Sequence, residues 1–257
     1  MINAKNLSFI TKDKKSLITN MNLDIQEGSI TGIVGRNGAG KSTLISLLAG
    51  IQEGSSGQVF YDDKNIQNFS SIDLAKKRSL LSQQNSTNFR LSIVDILLMG
   101  RYPFGKIHET DYDYADYLIE ELKLKQFLET PFMFLSGGEK QKVHFARSIM
   151  QLYPLEKNSK KVLFLDEPLS ALDLSVQQQL LRFIKNLVKK FNLTIVLVLH
   201  DLNWVSKYCH NIFVLDEGEL CLFGSPENVF TRENLKKFFH VEAEITRTKD
   251  QQITITY

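Results

Sequence analysis

The sequence has little cysteine, little excess charge and no long apolar run, and each shortage excludes a class of protein. Its two cysteines, Cys209 and Cys221, are too few for a disulfide-stapled miniprotein and suit a reducing compartment. Lys and Arg total 31 against 29 Asp and Glu, and a net charge of +2 gives no argument for nucleic acid binding. No apolar run approaches the roughly 18 residues that a membrane-spanning helix needs.

The N-terminus, Met1-Ile-Asn-Ala-Lys-Asn, lacks the basic start and apolar core of a signal peptide. We therefore expect the protein to stay in the cytoplasm and to serve any membrane from its surface. Hydrophobic residues make up 43% of the 257 residues and charged residues 23%, which is ordinary for a soluble globular protein. No repeat or linker divides the chain, whose length allows one large domain or two small ones.

Strand and helix patterns alternate along most of the chain. Apolar and polar residues alternate up to about Glu27, which predicts antiparallel strands with one wet face. Apolar runs at Ile30–Val34, Val162–Leu165 and Thr194–Leu199 predict buried strands. Strands that alternate with helices predict an α/β fold with a parallel sheet. Helices are predicted at Ser42–Leu48, Leu91–Met99, Asp113–Leu128, from Gly137 to about Met150, and at Val176–Lys190.

A phosphate-loop pattern lies between the first buried strand and the first helix. Every fixed position of G-x-x-x-x-G-K-[ST] is matched by Gly35-Arg36-Asn37-Gly38-Ala39-Gly40-Lys41-Ser42, and Thr43 follows. Glycines let the backbone point several N–H groups at one anion, and the helix adds its positive dipole end. Lys41 can reach the outer phosphates, and the Ser42 hydroxyl can ligate Mg²⁺. A chance glycine turn is the alternative, and the strand and helix around the loop favour nucleotide binding.

Two acids, Asp166 and Glu167, follow the apolar run Val162–Leu165. A strand that ends in acids puts carboxylates at the carboxyl edge of the sheet, where α/β proteins bind ligands. Asp166 is suited to hold Mg²⁺ through water, and Glu167 to orient or deprotonate an attacking water. The alternative is a strand that ends in solvated acids.

The stretch Leu135-Ser136-Gly137-Gly138-Glu139-Lys140-Gln141 is similar to the signature of the ABC ATPase family. The family's other motifs stand in the expected order. These motifs are the glutamine-loop residue Gln83 (with Gln84 as a rival), Pro168 after Glu167, the D-loop Ser170-Ala171-Leu172-Asp173, and the switch histidine His200. The resemblance covers the chain from about Ile2 to His240.

The resemblance implies a P-loop NTPase with the ABC ATPase fold, an α/β fold with a mixed sheet core, an antiparallel β subdomain and a helical signature subdomain. It implies a single ABC ATPase domain over residues 1–257. Residues 1–83 and 151–240 would form the RecA-like core with the β subdomain, 84–150 the helical subdomain, and 241–257 a C-terminal tail.

The resemblance also implies a head-to-tail dimer, in which ATP lies between the phosphate loop of one copy and the signature of the other. It assigns catalysis to Glu167, His200 and Gln83, and Mg²⁺ to Ser42, Gln83 and Asp166. The signature residues Ser136, Gly137, Gly138, Glu139 and Gln141 would contact the other copy's ATP, and Asp173 would contact across the dimer. Taken alone, Ser136 and Glu139 also fit an ordinary helix start, with Ser136 as its cap.

The adenine contact stays open. The family often stacks adenine on an aromatic residue shortly before the phosphate loop, and Ile10–Lys12 contains none. Phe9 is nearby, but its alternation with Leu7 fits the core equally well.

Two further segments narrow the function. The segment Met99-Gly100-Arg101-Tyr102-Pro103-Phe104 is similar to the MGR-x-P segment of ATPases that import heme, ferric siderophores and vitamin B12. The polar insertion around Pro154–Lys161 resembles the heme importers in particular, although neutral length variation is an alternative. We predict that Arg90, Arg101, Tyr102 and Phe104 are exposed and meet the permease. For Tyr102 and Phe104 a place in the local core is the alternative.

The sequence therefore predicts the ATP-hydrolysing subunit of a bacterial heme (hemin) importer, which uses ATP and Mg²⁺. Its partners would be a second copy, a polytopic permease dimer and, through the permease, a substrate-binding protein, with no nucleic acid. It would lie peripherally on the cytoplasmic face of the inner membrane. The alternatives are a ferric-siderophore or vitamin B12 importer ATPase, and a soluble ABC ATPase that acts on nucleic acid or assemblies.

Overall fold

The computed structural model describes residues 1–82, 90–248 and 252–257. The chain forms two compact units. The first unit contains Met1–Asn68 and Thr194–Tyr257, and the second contains Phe69–Leu193. The finer division predicted from the sequence, with a helical subdomain over 84–150, stays a prediction.

The first unit contains most of the strands. They are β1 (Ile2–Ile10), β2 (Ser16–Ile25), β3 (Ile30–Gly35), β4 (Ser56–Tyr61), β5 (Lys64–Asn65), β8 (Thr194–Val198), β9 (Asn211–Asp216), β10 (Glu219–Gly224), β11 (Glu244–Arg247) and β12 (Ile253–Thr256). Strands β2, β1, β4 and β5 pair in that order, antiparallel throughout. In β2 the buried residues Leu23 and Ile25 flank the exposed Asp24, which confirms the predicted wet face.

The second sheet of this unit is mixed and positions the site. β3 runs parallel to both β8 and β9, and β10 runs antiparallel to β9. β8 is buried along its whole length, as its continuous apolar run predicts. Ile33 pairs with Val198, so Gly35 and His200 each lie two residues beyond a paired position at the same sheet edge.

Short helices complete the first unit. They are α1 (Lys41–Leu48), α7 (Leu202–Tyr208), α8 (Pro226–Val229) and α9 (Arg232–Asn234), with a π-helical turn at Leu235–Phe239. The tail that follows is structured: β11 and β12 form an antiparallel hairpin in which Ile245 pairs with Ile255.

The second unit contains a parallel strand pair and several helices. Its elements are α2 (Ser71–Lys77), β6 (Arg78–Leu81), α3 (Ile93–Leu98), α4 (Glu109–Glu121), α5 (Gly137–Met150), β7 (Val162–Asp166) and α6 (Leu174–Phe191). The helix predicted over Asp113–Leu128 starts earlier, at Glu109. It also ends earlier, at Glu121, because the chain takes a left-handed conformation at Lys123, with φ 53°. The predicted α/β fold, with a mixed sheet, an antiparallel sheet and helical segments, is confirmed.

In the described ranges, no helix combines the length and the apolar character that crossing a membrane requires. Both cysteines in this part of the chain are free. Cys209 is buried, which raises the pKa of its thiol to about 12, and Cys221 is exposed.

Candidate nucleotide site

The phosphate loop connects β3 to α1 and depends on its glycines. Gly35, Gly38 and Gly40 have φ angles of 149°, 83° and 95°, which other residues rarely adopt. A Cβ on Gly35 would lie 2.1 Å from the Leu215 carbonyl oxygen, and one on Gly40 would lie 2.5 Å from that of Leu17. The loop therefore needs glycine at both ends, for conformation and for space.

Lys41 lies over the loop that precedes it. Its side chain is buried, and Nζ donates hydrogen bonds of 2.9 Å to the carbonyl oxygens of Gly35 and Arg36. The cap residue of α1 is Gly40, which has no side chain with which to cover the first N–H groups of the helix. An ammonium group and a helix N-terminus at one place form a site suited to phosphate.

The phosphate loop shares a cavity of about 480 Å³ with the predicted switch histidine. The structure thus brings together Gly35, Arg36, Asn37 and His200, which the sequence placed in separate motifs. Its lining is Val34, Gly35, Arg36, Asn37, Leu199, His200, Leu202, Phe239, Val241 and Tyr257. Val241 and Tyr257 come from residues 241–257, which the sequence predicted as a C-terminal tail, and Phe239 comes from the end of the predicted core. The alternation Ile253-Thr254-Ile255-Thr256 is the one sequence signal of order there.

In the second unit, β7 ends at Asp166, which is buried, and Glu167 follows in a left-handed conformation with φ 51°. Hydrogen bonds to its backbone hold this turn: the Glu167 carbonyl oxygen accepts from Ser170 Oγ at 3.2 Å and from Gln141 Nε2 at 3.3 Å. Left-handed backbone at a non-glycine residue is strained and concentrates at functional sites. The predicted catalytic acid and a residue of the signature are thereby connected.

The signature begins α5 with a complete capping box. Ser136 Oγ accepts from the Glu139 N–H at 3.4 Å, and Glu139 Oε2 accepts from the Ser136 N–H at 2.7 Å. A Cβ on Gly138 would lie 2.9 Å from the Ala171 carbonyl oxygen, so the signature packs against the predicted D-loop of its own chain. The helix cap that Ser136 and Glu139 predicted from the sequence is therefore present.

Asp173 caps α6. Its Oδ1 accepts from the Val176 N–H at 3.0 Å and from Ser175 Oγ at 2.8 Å, and these hydrogen bonds lower the pKa of its carboxyl group. Its predicted contact across a dimer stays a prediction.

The predicted glutamine-loop residue Gln83 and its rival Gln84 lie outside the described residues.

The predicted exposure of Arg90, Arg101, Tyr102 and Phe104 is partly wrong. Tyr102 is 86% exposed and Arg90 is also exposed, but Arg101 is buried. Arg101 Nε lies 2.7 Å from Asp111 Oδ1, Nη1 donates to the Met150 carbonyl oxygen at 3.1 Å, and the guanidinium stacks over the half-buried Phe104. Burial lowers the pKa of Arg101, although Asp111 opposes this shift. The prediction failed because the ion pair with Asp111, which allows Arg101 to be buried, forms only when the chain folds.

The fold and the phosphate-loop site define a nucleotide-binding α/β protein of the P-loop class. The sequence pattern of the family described as ABC transporter matches residues 18–170. The chain therefore belongs to the ABC transporter family, and it is an ATPase, as the motifs predict.

Relatives extend the similarity to nearly the whole chain. The hemin import ATP-binding protein HmuV of Shewanella denitrificans is 32% identical over 255 residues, 99% of each chain. The petrobactin import ATP-binding protein YclP of Bacillus subtilis is 33% identical over 245 residues, 95% of this chain and 94% of that one. A solved metal-chelate type ABC transporter, in an inward-facing conformation, superimposes with a TM-score of 0.79 at 29% identity, over 100% of this chain and 97% of that one.

Proposed function

We propose that this ATPase is the nucleotide-binding subunit of a bacterial importer and that its cargo is heme (hemin). The observation that carries the proposal is the similarity over 99% of both chains to a hemin import ATP-binding protein. The cavity that joins the phosphate loop to His200 supports the ATP-dependent part of it. The 33% identical petrobactin relative favours a ferric-siderophore importer as the second candidate.

The phosphates of ATP would lie on the loop Gly35–Ser42, on its N–H groups and the first turn of α1. Lys41 would exchange its two carbonyl partners for outer phosphate oxygens, a charge-assisted contact that is stronger than a neutral one. Thr43 would support the loop from the same turn. Mg²⁺ would arrive with ATP, and the Ser42 hydroxyl and Asp166 carboxylate are ligand types that it prefers. Gln83 would complete this set.

Hydrolysis would need one group to activate water and another to meet the γ-phosphate. Glu167 follows a buried strand end and its backbone is fixed, which suits a residue that orients or deprotonates water. His200 opens into the cavity of the phosphate loop, which suits a contact to the γ-phosphate. The products would be ADP and phosphate.

The signature would bind the ATP of a second copy in a head-to-tail dimer. Ser136, Gly137 and Gly138 start a fourteen-residue helix, and its N-terminal N–H groups and dipole suit an anion. Asp173 would lie at the same contact. ATP would then close the dimer and drive a polytopic permease, which receives cargo from a substrate-binding protein. The exposed Tyr102 suits a permease contact on the cytoplasmic face of the inner membrane.

The first test changes Glu167→Gln. We expect ATP binding to persist while kcat falls about 10²–10⁴-fold, the contribution typical of a positioned general base. The matched control is Glu129→Gln, at an exposed position of the same unit, which should hydrolyse ATP at the unaltered rate. Equal turnover in Glu167→Gln and in the unaltered protein would contradict the role of Glu167.

The second test addresses the cargo. The chain would be reconstituted in vesicles with the membrane protein that co-purifies with it, and ATP-driven uptake of hemin, a ferric siderophore and vitamin B12 would be compared. Uptake of hemin that Glu167→Gln abolishes would support the proposal. Uptake of the siderophore instead would favour the second candidate. ATPase stimulation by RNA or DNA, without a membrane partner, would contradict both.

A further inference from the structure

The C-terminal hairpin is attached to α7 by side chains of that helix. Asn203 Nδ2 donates to the Ile255 carbonyl oxygen at 3.0 Å, and the Ile255 N–H donates to Asn203 Oδ1 at 2.8 Å. Ser206 Oγ donates to the Ile253 carbonyl oxygen at 3.0 Å. One amide thus satisfies both backbone groups of Ile255, as a neighbouring strand would.

The attachment repeats along both elements. Asn203 and Ser206 are three residues apart and share a face of α7, while Ile253 and Ile255 are two apart and share a face of β12. The side chains of Ile253 and Ile255 are 5% and 3% exposed, so apolar burial holds the hairpin in addition to the hydrogen bonds.

Asn203 is also fixed from the side of His200. Asp201, the residue after His200, caps α7 and accepts from the Asn203 N–H at 2.8 Å. The chain from His200 to Asn203 is therefore held at one end by β8 and at the other by the hairpin. Tyr257, directly after β12, lines the cavity into which His200 opens, and burial together with the Asp201 carboxylate raises its pKa.

The same C-terminal segment reaches the phosphate loop. Arg36 Nη1 lies 3.2 Å from His240 Nε2, directly after the π-helical turn, while the Arg36 carbonyl oxygen accepts from Lys41. Phe239 and Val241, on either side of His240, line the shared cavity. The phosphate loop thus contacts the C-terminal segment at His240, and α7, which follows His200, contacts it at Ile255.

We infer that Asn203 is a positioning residue for hydrolysis: by binding the C-terminal hairpin it fixes the turn that presents His200 to the γ-phosphate. The inference rests on the proposed role of His200. It requires that loss of the attachment lowers the rate of hydrolysis more than the binding of ATP.

The test is Asn203→Ala in the full chain, with steady-state ATPase kinetics. We expect kcat to fall roughly tenfold, within the up to about 10²-fold that a 1 Å misplacement can cost. KM for ATP should change less than about twofold, because the phosphate loop is unaltered. The matched control is Thr246→Ala, an exposed position of the same hairpin, which should leave both constants unchanged. An unchanged kcat in Asn203→Ala overturns the inference.

A double-mutant cycle with His200→Ala separates the two proposals. If Asn203 acts through His200, Asn203→Ala should cause no further loss once the histidine is absent. A further loss of the same factor means that Asn203 acts independently, which overturns the inference and leaves the histidine's role intact. If His200→Ala itself keeps full activity, the proposed role of His200 fails, and the inference fails with it.

Ser206→Ala provides a milder variant, because it removes one hydrogen bond and leaves the amide pair in place. We expect kcat to fall by about threefold, less than for Asn203→Ala, and the melting temperature to fall by no more than about 2–4 °C, because one hydrogen bond is lost. If Asn203→Ala does not fold, this variant decides the question by the same cycle. A kcat equal to that of Thr246→Ala would overturn the inference.

Discussion

Two helices start in glycine-rich sequences that suit an anion, and they are built in opposite ways. α1 begins after Gly40, which has a left-handed conformation and no side chain that could cap the helix. Lys41 Nζ binds the carbonyl oxygen of Gly35 in the loop before it. α5 begins after Ser136, whose hydroxyl forms a capping box with Glu139. One start depends on backbone conformation, and the other on the chain's own side chains.

The difference suggests two kinds of preorganisation. The phosphate loop is held in shape by glycines that approach neighbouring carbonyl oxygens, so its N–H groups need no side chain to orient them. The signature is stable as an ordinary capped helix without a ligand, which is compatible with the proposed contact to the ATP of another copy. Substitutions should therefore affect the two starts differently.

The largest expected difference is between Gly35→Ala and Gly137→Ala. Gly35→Ala places Cβ against the Leu215 carbonyl oxygen in a left-handed conformation, and should lower the free energy of unfolding by at least about 3 kcal/mol. At Gly137 the nearest atom to a new Cβ is 3.9 Å away, in ordinary contact. Gly137→Ala should fold normally and lose ATP-driven dimerisation. Chemical denaturation and size-exclusion chromatography with ATP measure both effects.

Either variant can also contradict the proposed difference between the two helix starts. If Gly35→Ala is as stable as the unaltered protein, the loop is not held by the close approach to Leu215. If Gly137→Ala dimerises normally with ATP, the first turn of α5 does not meet the nucleotide, and the proposed role of the signature is wrong.

A smaller effect is expected from the cap of α5. Ser136→Ala removes the hydroxyl that accepts from the Glu139 N–H and should cost about 1 kcal/mol of stability, the usual value for an N-cap. Glu139→Gln is the matched control, because glutamine also completes a capping box. Urea denaturation of both variants measures the difference, and equal losses would show that the carboxylate charge contributes as much as the cap hydroxyl.

A last effect is one of pH and concerns the loop between α5 and β7. Lys161 Nζ donates to the carbonyl oxygens of Leu152 and Pro154 at 2.7 and 2.8 Å, yet burial lowers its pKa from 10.5 to about 8. Between those values the unfolded chain binds a proton that the folded chain has lost, so this group makes the free energy of unfolding rise with pH. Below pH 8 both states are charged and the contribution is constant.

Lys161→Met should therefore remove part of the rise in stability between about pH 8 and 10.5. Denaturation of both proteins at pH 7, 9 and 10 measures it. A pH dependence identical in the two proteins would mean that the lysine is solvated in the folded state.

Much of the site was predictable because its residues are neighbours in sequence. The spacing of Gly35, Gly40 and Lys41 predicts a phosphate loop, and the structure has one between a buried strand and a helix. The capping of α5 was likewise visible in Ser136 and Glu139. In both cases hydrogen bonds of short sequence separation determine the geometry.

Arg101 and the C-terminal segment show where prediction failed. Arginine in a segment with Tyr102 suggested an exposed contact, but Arg101 is buried because Asp111 and the end of α5 supply partners. The contact of Asn203 with the C-terminal hairpin was not predicted, since its partner Ile255 is 52 residues away. The burial of Arg101 and the contact of Asn203 both depend on partners that folding brings together, so the spacing of residues in the sequence did not predict them.

The sequence by itself determined the class of the protein, the phosphate loop, the signature and the residues that carry the proposed chemistry. Those features depend on residue type and local spacing, which fix backbone conformation and capping over a few residues. Only the tertiary structure decided that His200 shares a cavity with Arg36, that Arg36 contacts His240, and that Asn203 binds the C-terminal hairpin. The pairing of β3 with β8 and the burial of β12 on α7 bring distant residues together, and such contacts are set by packing of the whole unit.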